Sequence, residues 1–192
     1  MSIHSPLRRT RTGERTVTLV GPYDLIELFD VFGNISESDE QWHSLRIKYA
    51  SKLNDKKAKQ CLAEARRIAH KKKNGSDELK AKQALLLLSL YLIIETYYEH
   101  NENYYMLGKS IAEELDALKK LGQIDVFHSR LQHYIERFLA ETIHSGTEKI
   151  TPAIISFVES CRKYNIPIES PELLALYETF TDPSKTIKKN VI

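Results

Sequence analysis

The chain has 192 residues, 28% of them charged and 42% hydrophobic, with a formal net charge of +2. These proportions are those of an ordinary globular domain, and seven Gly and six Pro are too few for a low-complexity or collagen-like chain. Two Cys exclude a disulfide scaffold, and no apolar run reaches the roughly 18 residues that a membrane span requires.

In chain order, residues 1–20 read as a basic extended arm, with Arg8, Arg9, Arg11 and Arg15 against Glu14. The stretch 16–20 is too short for the apolar part of a secretory leader, and Pro6 and Gly13 oppose the amphipathic helix of a mitochondrial presequence. The same stretch, Thr-Val-Thr-Leu-Val, has strand propensity but no evident partner strand. Gly21-Pro22 is expected to open a short helix with Leu25, Ile26, Leu28, Phe29 and Phe32 at helical spacing, ended by Gly33. Residues 21–40 hold six acids and no base.

Residues 41–73 reverse that balance, with eleven bases against Asp55 and Glu64. Ser36, Ser38 and Asp39 offer caps for a helix whose apolar positions are Trp42, Leu45, Tyr49 and Leu53. Beyond Leu53 the stripe changes register. At about 100° per residue the first group spans roughly 0° to 80°, and Ala58, Cys61, Leu62, Ala65, Ile68 and Ala69 span roughly 140° to 260°. One straight helix cannot bury both groups on one side. The spacing therefore predicts two helices, 38–53 and 55–73, with Asn54-Asp55 capping the second, or one sharply bent helix.

Asn74-Gly75-Ser76 closes that element and starts the next, so 55–73 and 76–100 should form an antiparallel hairpin. Residues 84–94 are apolar on every face except Ser89, the mark of a central helix surrounded by neighbours. His100-Asn101-Glu102-Asn103 is a potential break or kink. A helix then runs to Leu121 with Gly122 after it, and Asp125 is expected to cap another to about His144. Thr151-Pro152 should start the next, ending near Asn165, and Ser170-Pro171 the last, to Phe180. The fold class is all-α: one irregular bundle of about seven or eight helices at 21–182 around the apolar helix 76–100, followed by a polar, basic tail at 183–192. The 34-residue tetratricopeptide pattern does not recur along the chain.

Seven His invite a metal search. Asp125-x-x-His128 and Glu141-x-x-His144 have ligand spacing, but both sit on one helix with the two His pointing to nearly opposite sides. His133 and His144 share a face about 16 Å apart, too far for one ion. The histidines are therefore expected to be surface or half-buried residues. Phosphate-loop, dinucleotide and nucleophile-elbow motifs do not occur, and no paired Cys offers zinc ligands. Neither a catalytic residue nor a cofactor nor a metal is inferred, and the balance leans away from an enzyme. Cys61 and Cys161 read as reduced core thiols of a cytoplasm-like compartment.

Two surfaces remain. Tyr97, Tyr98, Tyr104 and Tyr105 would share a face if the helix ran on, and their acidic neighbours suit a core rim or a protein-contact edge better than nucleic acid. Lys56, Lys57, Lys59, Arg66, Arg67, Lys71 and Lys73 lie mostly opposite the apolar face of their helix, with Lys72 the exception. Together with the arm's four Arg they could grip a phosphate backbone or an acidic partner. Docking of this basic block onto the acidic segment 21–40, or plain solvation, would leave it without a partner. The expected function is a non-enzymatic helical adaptor or assembly subunit with a protein partner or self-association. The alternatives are a nucleic-acid-binding subunit that reads backbone charge and, more weakly, a small secreted or viral effector.

Overall fold

The computed structural model describes residues 19–20, 23–24, 40–70, 77–144, 147–182 and 184. Among these, seven helices carry the fold: α1 (Glu40–Ala50), α2 (Asp55–His70), α3 (Asp77–His100), α4 (Tyr104–Lys120), α5 (Ile124–His144), α6 (Thr147–Lys163) and α7 (Pro171–Thr181). They are preceded by a two-residue antiparallel ladder, β1 (Leu19–Val20) with β2 (Tyr23–Asp24), in the register Leu19 to Asp24 and Val20 to Tyr23. The partner strand that the sequence did not reveal thus lies just beyond Gly21-Pro22. Residues 23 and 24 are extended where a helix was expected to begin. The rest of that expected helix, to Gly33, lies outside the described residues, as do arm residues 1–18.

The chain divides into two compact units, one ending at Tyr97 and the other beginning at Tyr98, within the continuous helix α3. In the first unit, β1 lies against α2. The change of apolar register after Leu53 is resolved as two helices. Tyr49, Ala50 and Leu53 are buried, the chain turns at 51–54, and α2 buries Ala58, Cys61, Leu62, Ala65, Ile68 and Ala69. The Asn54 side chain accepts the Lys57 N–H at 2.9 Å, and its carbonyl accepts the Ala58 N–H at 2.8 Å, a helix N-cap. The Tyr97 hydroxyl donates to Asp55 Oδ1 at 2.8 Å, joining the first residue of α2 to the far end of α3, as an antiparallel hairpin requires. Burial, and then the Asp55 carboxylate, raise the Tyr97 phenol above its ordinary pKa. Within α3, every residue from Leu90 to Tyr98 is buried. That is the all-round apolar pattern expressed as burial, and Ser89 and Thr96 fit into it by donating to carbonyls one turn back.

In the second unit three helix ends share one closure. After α3, α4 and α6 a residue takes left-handed backbone: Glu102 (φ 53°), Gly122 (φ 71°) and Asn165 (φ 54°). In each case the next residue's N–H returns to a carbonyl five positions earlier, at 2.9 to 3.0 Å, from Asn103 to Tyr98, Gln123 to Leu118 and Ile166 to Cys161. This closure satisfies carbonyls that a helix end leaves open. It settles the 100–103 segment as a break. Asn103 then caps α4 by accepting the Met106 N–H at 3.2 Å.

Two expected starts move. Helix α5 begins at Ile124, with the Gln123 carbonyl accepting the Phe127 N–H at 2.9 Å, so Asp125 lies inside the first turn, where its charge favours the dipole, and is not the cap. Helix α6 begins at Thr147, four residues before Thr151, and takes Pro152 inside it. Pro152 has no N–H to give the carbonyl one turn back, which normally costs a helix interior about 3 kcal/mol. The buried Ile150, Ala153, Ile154, Phe157, Val158 and Cys161 of α6 outweigh that loss. Helix α7 starts as expected, with Ser170 as cap and Pro171 in the first turn.

The dominant packing in this unit is α4 against α6, with α5 and α7 completing it. A Cβ added at Gly108 would come within 2.1 Å of the Ala153 carbonyl oxygen and 2.4 Å of Ser156 Oγ. Ser156 Oγ donates to the Tyr105 carbonyl at 2.7 Å across the same crossing. Phe138 and Phe157 meet with ring centroids 5.1 Å apart.

Two measurements by urea unfolding follow. Gly108→Ala forces backbone to move and is expected to cost about 1–3 kcal/mol. Glu102→Gly removes left-handed strain at an exposed position and should gain about 0.5–1 kcal/mol.

Candidate macromolecular interface

The basic face of α2 is built by the helix that Asn54 starts. Its buried residues turn one arc inward, and Lys56, Lys59, Ala63, Arg66, Arg67 and His70 all lie exposed on the opposite arc. Lys57 sits at the margin, half-buried, with Nζ 3.5 Å from the Lys52 carbonyl. The two acids of α2 are already engaged. Asp55 takes the Tyr97 hydroxyl, and Glu64 accepts Arg67 Nε at 2.8 Å on both oxygens. Those hydrogen bonds, ahead of the charge of Glu64 itself, raise the Arg67 pKa. Lys56 and Lys59 pair with no described acid. Of the other predicted cations, Arg8, Arg9, Arg11, Arg15, Lys71, Lys72 and Lys73 lie outside the described residues.

The four tyrosines do not form one edge. The helix breaks between them at 101–103; Tyr97 and Tyr98 are buried, Tyr104 is half-buried, and Tyr105 alone is mainly exposed, at 53%. A stripe that needed an unbroken helix is therefore corrected to two core residues and one surface residue, with Tyr104 between. His43, His70, His100, His128, His133 and His144 are all exposed, and no group of three or more potential ligands is positioned for a metal among the described residues. Cys61 and Cys161 are buried and outside any disulfide, and burial pushes both thiols up to about 12, so neither is a thiolate near neutral pH.

One constellation escaped the sequence reading. Arg130 Nε donates to Glu114 Oε1 at 2.8 Å, and the Tyr134 hydroxyl donates to Glu114 Oε2 at 2.8 Å. Arg130 also donates to the Tyr134 hydroxyl, and its guanidinium lies 4.7 Å from the ring centroid. The side chains of Arg130 and Glu114 are 7% and 1% exposed. Beside them Tyr164 reaches Glu113 Oε1 at 3.4 Å. The signal was present: Glu114 shares the buried arc of Leu107, Ile111, Leu115 and Leu118, and Arg130 and Tyr134 are one turn apart among Phe127, Leu131 and Phe138. A charge on each of two apolar faces implies that the two meet. With both partners satisfied the cluster ties α4 to α5.

No helix among the described residues is long and apolar enough to cross a membrane.

Removing one partner strands the other, so Arg130→Met alone should cost about 3–5 kcal/mol in urea unfolding, whereas Arg130→Met with Glu114→Leu should recover most of the loss. Iodoacetamide at mildly alkaline pH should label neither cysteine in the folded chain and both after denaturation; rapid native labelling of Cys61 would contradict its burial. Comparison with protein-family models, with curated proteins and with solved structures yields no match to this chain.

Proposed function

We propose that this protein is a helical adaptor or assembly subunit that holds a macromolecular partner through the basic face of α2 and the Arg-rich arm, in a reducing, cytoplasm-like compartment. The observation that supports this reading is the exposed arc of Lys56, Lys59, Arg66 and Arg67, in which Lys56 and Lys59 pair with no described acid and Glu64 takes Arg67. Opposed charge raises encounter rates and selects partners even where each contact contributes little. Two buried thiols outside any disulfide agree with the compartment.

A nucleic-acid backbone is the competing partner, since a row of cations also suits phosphates. Light scattering on the full chain after size exclusion, at about 50 mM and about 500 mM salt with absorbance at two wavelengths, separates the two. The expected result is a protein-only species heavier than the 22.2 kDa monomer. A nucleic-acid absorbance ratio that vanishes at high salt would move the assignment to phosphate. A monomer at both salts, with nothing retained in a cross-linked native pull-down, would overturn the proposal.

A further inference from the structure

Within the basic face, one line of residues has a regular spacing. Lys56, Lys59, Ala63, Arg66 and His70 follow steps of three, four, three and four, and each is exposed. This is the spacing by which one helix offers a straight seam to another, though such seams are usually apolar. The line runs about 21 Å along α2. At its centre stands Ala63, with a methyl group between longer neighbours. A small residue in mid-seam leaves a notch, and a notch lets a second helix approach to the usual 8–10 Å between axes. Both acids of α2 lie off this line, and both are engaged.

Resting on the proposed adaptor reading, we infer that this seam docks an acidic amphipathic helix of a protein partner. That helix carries Asp or Glu at the matching three–four spacing, with one apolar side chain seated over Ala63. Two features favour it over a nucleic acid. The cationic line is interrupted for about 10 Å between Lys59 and Arg66, a gap that costs a phosphate contact but receives an apolar knob. Neither Tyr nor Phe nor Trp occurs on α2 to stack a base.

The test is fluorescence anisotropy on the full chain with three probes. The first is a helical peptide of about 20 residues with Glu at three–four spacing and one central Leu. The second is a scrambled peptide of the same composition, and the third a DNA duplex of arbitrary sequence. The patterned peptide should bind at least about tenfold tighter than the scrambled one. Lys56→Glu with Lys59→Glu should abolish that binding, circular dichroism confirming that the variant is folded. Ala63→Lys discriminates by sign. It fills the notch and sets a charge against Leu, so it should weaken the peptide severalfold, whereas an added cation would strengthen a duplex. Equal binding of the two peptides would overturn the seam. Tight duplex binding that Ala63→Lys improves would also overturn it, while leaving the face as a binding surface. If no probe binds at low salt, the seam and the binding role of α2 both fall.

Discussion

Helices α4 and α6 lie as close as they do because position 108 has no Cβ. The space a methyl group would need is filled by the Ala153 carbonyl and the Ser156 hydroxyl, and backbone is the least yielding neighbour a side chain can meet. The close approach brings Ser156 within reach of the Tyr105 carbonyl and sets the depth at which Leu107, Ile111 and Leu115 pack. The buried parts of α5 and α7 then fill space whose dimensions this crossing defines. The missing methyl is therefore a constraint on the packing of the second unit rather than a local detail.

The buried Arg130–Glu114–Tyr134 cluster works on that frame in a different way. Hydrophobic burial is nearly indifferent to small shifts of one helix along another, whereas a guanidinium and a carboxylate are satisfied in a narrow range of positions. The cluster thus adds little to net stability compared with an apolar replacement, but it penalises every other register of α5 on α4. Glu113 with Tyr164 extends the same polar layer towards the end of α6. Lys119, whose ammonium donates to the Asn165 carbonyl at 2.9 Å, covers the end of α6 itself.

In the first unit, α2 turns its cations outward. Asn54 starts α2, the Tyr97 hydroxyl anchors its first residue, and the apolar arc faces in, so the cations have only the solvent side left. Glu64 takes Arg67 locally, in the three-residue spacing that an exposed helix allows, and such pairs contribute little to stability. What this arrangement determines is the sign and the spacing of the surface α2 presents.

Most of the elements are set by local signals in the chain. The register change after Leu53, the Asn54 cap, the apolar run of α3, Gly122 after α4 and Ser170-Pro171 before α7 are local signals, because helix periodicity and capping act over three or four residues. Segregated charge and the basic face were legible for the same reason. Tertiary structure decided what depends on contact between distant residues. Glu102 in left-handed backbone has no local signature, since Gly or Asn is the usual choice there; its position is imposed by the closure of α3. Pro152 within α6 reads locally as a start, and only the burial of Ile150 and its neighbours carries the helix back to Thr147. The tyrosine stripe dissolved because α3 ends where a single face would have had to continue. The close approach at Gly108 and the pairing of Glu114 with Arg130 exist only where two helices meet. Those properties belong to pairs of faces, and one-dimensional periodicity describes each face without naming its partner.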